Sequence, residues 1–180
     1  MKYVNKYLYM VFLFFIICIL VSSVSALELK TDYNLTSETF ESIHTDSGYS
    51  TFHLDVPSGS NFTLADKLSG EVKNDFGEGT MSFYINEGKY ANQVWSIVYI
   101  EDFSDNGAII SETFTGLIVN ATLVSNSEGV EIYEFDDTND TNIKYGAFFI
   151  SEDGDKGIGI SGNDKDLLND MIQNVYFDFP

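Results

Sequence analysis

Two hydrophobic patterns divide this chain. From Tyr7 to Val21 every residue is apolar, whereas beyond Leu27 apolar positions come in short sets separated by Gly, Asp, Asn and Ser. The second pattern is that of strands and turns. Residues 27–50 read as a polar arm, with isolated Tyr33, Leu35, Phe40 and Ile43 and room for one strand. Thr51 to Val56 alternates, with Phe52, Leu54 and Val56 on one face, and Pro57 stops it. Ser58 to Gly79 is glycine-rich and reads as loops with one irregular element. Thr80 to Asn86 alternates again through Met81, Phe83 and Ile85.

Gln93 to Ile100 is apolar on both faces, with Trp95, Ile97 and Tyr99 on one and Val94, Val98 and Ile100 on the other. That pattern predicts a central strand covered on both sides. Ile109, Ile110, Phe114, Leu117 and Ile118 fit a helical stripe within Ala108 to Val119, whereas the Thr and Ile content suits a strand; helix is the reading taken. Val130 to Phe135 and Ile143 to Ile150 read as strands, and Gly157 to Ile160 closes a hairpin through Asp153-Gly154. Asn163 is placed to cap a helix whose apolar face is Leu167, Leu168, Met171, Ile172 and Val175. Tyr176 to Phe179 ends the chain as a short strand.

The expected fold is α+β, an antiparallel sheet with the C-terminal helix packed on one face, in a single globular domain over 51–180. The alternative is an all-β sandwich. Gly157-Ile158-Gly159-Ile160, Asp166-Leu167-Leu168, Met171-Ile172 and Val175-Tyr176-Phe177 carry a resemblance to the C-terminal part of PsbP/Mog1-like α/β sandwiches. The resemblance implies a helix on an antiparallel sheet and a protein that binds partners rather than catalyses reactions. The whole chain also resembles small, acidic, exported proteins of methanogenic archaea whose exported part lacks cysteine.

Lys2 and Lys6 before the apolar run, and Ser22-Ser23-Val24-Ser25-Ala26 after it, make residues 1–26 a secretory signal. Cleavage after Ala26 is the first reading and puts the protein outside the cell or at its surface. The second is a signal anchor over 7–26. That span is just long enough for a hydrocarbon core of about 30 Å, with the lysines inside. The membrane is then met only through this segment. Cys18, preceded by Ile16 and Ile17, lacks the small residues of a lipid-attachment signal.

Charge narrows the partners. Twenty-eight acidic residues face nine lysines and no arginine, for a net charge of −19. Such a surface repels nucleic-acid phosphates and anionic lipid headgroups. Cys18 is the only cysteine, so the exported part has no disulfide, thiolate metal site or cysteine nucleophile. Asn-x-Thr sequons occur at Asn34, Asn61, Asn120 and Asn139.

Each candidate for chemistry competes with an ordinary role. Asp136, Asp137 and Asp140, with Asn139 and Asn142, offer oxygens of the kind calcium takes, as do Glu152, Asp153 and Asp155. The EF-hand spacing fails, because Asn142 and Phe148 stand where Gly and Glu are needed. Solvated turns are the expectation. Gly157-Ile158-Gly159-Ile160-Ser161-Gly162 spells GxGxxG, with Asp178 near the ribose-acid spacing. It follows an acidic turn, and too little chain follows it for further βα units. It reads as a glycine-rich edge strand running into a helix cap, and no cofactor is expected.

His53 and Asp55 share the outward face of a strand and suit a base-and-orienter pair. The nucleophile-elbow pattern is absent, however, and His44 is the only other histidine. Two histidines without cysteine do not make a zinc site. Tyr49, Tyr84, Tyr90, Tyr99, Tyr133 and Tyr145 offer the chemistry of a binding face for sugar or peptide, but strand tyrosines ordinarily pack, and packing is the expectation. These readings point to an exported or cell-envelope binding or structural domain with no enzymatic activity and an envelope or extracellular partner. The alternatives are an extracellular hydrolase using His53 and Asp55, and a calcium-stabilised surface module.

Overall fold

The computed structural model describes residues 32–43, 50–75, 77–104, 107–136 and 143–178. Among the described residues eleven strands run in chain order: β1 Leu35–Glu41, β2 Thr51–Pro57, β3 Phe62–Leu64, β4 Gly70–Asn74, β5 Gly77–Asn86, β6 Val94–Asp102, β7 Ala121–Ser127, β8 Val130–Phe135, β9 Tyr145–Ile150, β10 Lys156–Gly162 and β11 Tyr176–Phe177. Helix α1, Ala108–Leu117, lies between β6 and β7, and α2, Lys165–Ile172, between β10 and β11.

Among the described residues 52% are strand and 14% helical. This overturns the α+β expectation; the all-β alternative fits better. The excess is in strands that sequence periodicity does not announce. β3, β4 and β7 occupy stretches without clean alternation, and β1 falls in the stretch read as a polar arm. No residue of β7 is buried. An outer strand is wetted along one edge and needs little apolar patterning to hold its place.

All strand pairs are antiparallel. One sheet has the order β1-β2-β11; the other has the order β3-β5-β6-β10-β9-β8-β7, with β4 on the same side of β5 as β3. The small sheet turns Phe40, Phe52, Leu54 and Val56 inward onto Tyr84, Ile97, Tyr99, Ile158 and Ile160 of the large sheet. Helix α2 completes that layer with Leu167, Leu168, Met171 and Ile172. Its cap is Asp164, whose side chain accepts from Leu167 N–H at 3.1 Å. Asn163, the expected cap, instead accepts from Lys144 N–H at 2.8 Å.

The opposite face of the large sheet carries α1. Ile109, Ile110 and Phe114 pack there on Val98, Ile100 and Phe148. Strand β10 is internal, between β6 and β9, which corrects the edge-strand reading of its glycines. A Cβ on Gly157 would lie 2.3 Å from Ile110 Cγ2 and 3.1 Å from the Phe114 ring. The glycine therefore sets how closely the helix approaches the sheet. A Cβ on Gly162 would lie 2.0 Å from the carbonyl oxygen of Gln93. The GxGxxG letters are thus used in packing.

Strand β6 departs from strict alternation. Ser96 pairs with Ser161 but Val94 pairs with Gly162, so Trp95 is the extra residue of a bulge. Val94 consequently joins Ile97 and Tyr99 in the inter-sheet core. Trp95 turns to the α1 side, edge-on to Phe83 at 6.0 Å. The expected grouping of Trp95 with Ile97 and Tyr99 is corrected accordingly.

Candidate functional site

The α1 side of the large sheet is only partly covered. Phe83, Val98, Gly159 and Phe148 form a row across four adjacent strands, and Ile85, Ser96, Ser161 and Gly146 form the next. The aromatic ends of the first row are tall, while Gly159, Ser96 and Ser161 are short. The result is a groove of about 260 Å³ beside Leu117, the last residue of α1. Trp95 and Phe83 wall one side and Phe135 and Phe148 the other. On the floor the Ser96 and Ser161 hydroxyls bond to each other at 2.7 Å. Trp95 is 37% exposed and Leu117 48%, so large apolar surface meets solvent at the groove.

A second groove, about 380 Å³, lies along the other flank of α1 and includes Ser111, Thr115, Asn126, Glu131 and Tyr133. Its carboxylate is engaged within the chain: Glu131 accepts from Asn126 Nδ2 at 3.1 Å and from Tyr133 OH at 2.9 Å. Partial burial and that carboxylate raise the Tyr133 phenol above its ordinary value.

His53 lies on the outer face of the small sheet, and the carboxylate that meets it is Asp178. His53 Nε2 is 2.8 Å from Asp178 Oδ2, and His53 Nδ1 is 2.9 Å from Thr39 Oγ1. Thr51 Oγ1 donates to Asp178 Oδ2 at 2.8 Å and Tyr176 OH to Oδ1 at 2.6 Å. The Tyr176 ring stacks on the imidazole at 4.5 Å and 9°. With the Nε2 proton on the carboxylate side, Nδ1 accepts the Thr39 proton, giving a hydroxyl–imidazole–carboxylate chain. Asp55, the expected partner, stands opposite Ser37 two residues along β2. No local sequence pattern ties His53 to Thr39 or Asp178, because β1, β2 and the residue that follows β11 bring them together.

Hydrogen bonds from Tyr176, then His53, then Thr51 hold the Asp178 carboxyl down at about 2. A depressed carboxylate contributes stability that is complete above its unfolded value and lost as pH falls through the folded one. The tie between β2 and β11 is therefore expected intact above pH 3.8 and lost as pH falls toward about 2. A carboxyl-carbon NMR titration checks this: the predicted midpoint is near 2, and an ordinary midpoint near 3.8 contradicts it.

Several expected positions can be placed. Asp136 follows β8, and its N–H donates to Asn120 O at 3.2 Å. Asp137, Asn139, Asp140 and Asn142 lie outside the described residues, as do residues 1–26, His44 and Tyr49. Among the described residues no group of three metal-ligating side chains converges. In the other acidic loop Lys156 Nζ donates to Asp155 Oδ2 at 2.8 Å. Hydrogen bonds from Ser151 and Asp155 hold Asp153 at about 2. We expect millimolar calcium to raise the Tm no more than magnesium does. A calcium-selective rise lost on replacing Asp136, Asp137 and Asp140 with Asn would contradict this.

Of the expected packing tyrosines, Tyr84 and Tyr99 are buried between the sheets. Burial pushes the Tyr84 phenol up to about 12. Among the described residues no helix is long and apolar enough to cross a membrane. No protein-family model matches the chain, and neither a curated protein nor a solved structure is significantly similar to it.

Proposed function

We propose that this chain is an exported, non-catalytic binding module of the cell envelope that takes an apolar, non-anionic group in the groove beside α1. The observation that carries the reading is the groove itself. Short residues at Ser96, Gly159 and Ser161 leave the floor open, and a bulge brings Trp95 to its wall. Apolar walls with a few polar atoms are the usual make-up of a ligand site, and this volume suits a small ring system or a short alkyl segment. The charge of −19 disfavours an anionic ligand. Residues 1–26 support the export half of the proposal through their signal pattern.

Trp95 is the only tryptophan, so its fluorescence reports on the groove alone. Titration with Nile red, a neutral apolar dye, should quench Trp95 and saturate. Leu117→Glu sets a carboxylate at the rim on an already exposed residue and should weaken binding about tenfold, equivalent to about 1.4 kcal/mol. Saturable binding unaffected by Leu117→Glu would remove the groove from the proposal.

A second reading rests on the Thr39–His53–Asp178 chain, which has the order of a hydrolase relay. It supports an extracellular hydrolase with Thr39 as nucleophile and His53 as base. Turnover of esters, peptides or glycosides that disappears in both His53→Gln and Thr39→Val would establish this reading over the first. We expect no such turnover. The chain lies on an exposed sheet face, and its described role is to fasten β11 to β2.

A further inference from the structure

The three described sequons share one structural position. Asn34, Asn61 and Asn120 each stand immediately before a strand, respectively β1, β3 and β7. Each of those strands is at the edge of its sheet: β1 of the small sheet, β3 and β7 at opposite sides of the large one. Thr36, Thr63 and Thr122 are the second residues of the same strands. All three asparagines and all three threonines are exposed. Residues two apart in extended chain project to one side. Asn120 instead enters β7 with φ 74°, in the left-handed region. What it shares with the other two sites is that its amide and the Thr122 side chain both meet solvent at the start of an edge strand.

We infer that Asn34, Asn61 and Asn120 carry N-linked glycans that shield the sheet edges from pairing with other chains. The inference rests on the export reading, because the sugar is added during or after export. In the modification, the Asn Nδ2 attacks the anomeric carbon of a sugar linked to a polyprenyl phosphate or pyrophosphate. The C–N bond forms as the anomeric C–O bond breaks, the lipid phosphate leaves with the electron pair, and the amide proton passes to a base. No group is oxidised or reduced.

The edges themselves supply the reason for shielding. An outer strand presents unpaired N–H and C=O groups, and proteins ordinarily blunt it with Lys, Pro or other charge. β3 (Phe-Thr-Leu) and β7 (Ala-Thr-Leu-Val-Ser-Asn-Ser) carry no charged residue at all. They expose apolar surface instead: Leu64 is 39% exposed on β3, Leu123 47% on β7, and Val119 61% beside Asn120. The net charge repels other copies only over about 10 Å or less at ordinary salt, and less in brine. A glycan rooted at the strand entry covers both the open ladder and these side chains whatever the salt.

The test uses protein from its own cells, with peptide mapping, intact mass and protease accessibility on whole cells. Thr36→Val, Thr63→Val and Thr122→Val keep the asparagine and strand propensity but remove the hydroxyl. We expect sugar on all three asparagines, the loss of one glycan mass in each variant, and association of the triple variant at moderate salt. Protein that is surface-accessible yet bare at these positions would overturn the inference and leave the export reading standing. Protein retained inside the cell would overturn both. A glycosylated parent with a triple variant that stays monomeric would overturn the shielding role.

Discussion

Leu168→Asp abolishes cooperative folding. Leu168 has no solvent exposure, and Leu167, Met171 and Ile172 beside it on α2 are also buried against the inter-sheet core. None of the six lysines among the described residues is part of that apolar cluster. An uncompensated buried charge costs about 3–5 kcal/mol. Loss of the leucine packing adds about 2–5 kcal/mol. The sum competes with the whole stability of a domain, about 5–15 kcal/mol. Circular dichroism should show no thermal transition in this variant, while Leu168→Ala retains one at lower Tm. A cooperative transition at the parent Tm in Leu168→Asp would mean that α2 does not pack as described.

Gly157→Val separates α1 from the sheet. Even the first carbon of the new side chain would sit 2.3 Å from Ile110 Cγ2, with the Phe114 ring behind it. Overpacking a core of this kind costs about 1–3 kcal/mol and sometimes more. Each kcal/mol lowers the Tm by about 2–4 °C at this size. The expected fall is therefore about 2–12 °C, larger than for Ser161→Ala four residues along the same strand. Glycines reserved for a bound phosphate would produce the opposite ranking, with little stability lost at Gly157.

What could be read from the sequence follows which strands are covered. β2, β6, β8, β9 and β10 are flanked by neighbours or sandwiched between layers, and their apolar patterns placed them. Helix α1 was likewise readable because Ile109, Ile110 and Phe114 recur at helical spacing. β3, β4 and β7 were not, since their side chains meet mostly water and their ladders do the holding. Their number turns an expected α+β fold into a mostly β one.

The site was less legible for two physical reasons. A one-residue bulge reverses the face of Trp95, and alternation taken literally puts that side chain in the wrong layer. The groove is also made by what is missing at Gly159, and glycines in a GxGxxG string draw attention to phosphate instead. At the small sheet His53 was singled out with Asp55, its neighbour on the same strand face. Its actual partners, Thr39 and Asp178, come from β1 and the end of β11, and no spacing rule connects them.

The binding proposal is tested most directly by locating an apolar ligand on the protein at atomic resolution. Intermolecular NOEs should be collected for Nile red at saturation. The proposal predicts contacts from the dye to the Trp95 indole, the Leu117 methyls and the Phe148 ring, all lost or weakened in Leu117→Glu. Contacts confined to other surfaces, or none at saturating dye, would contradict it.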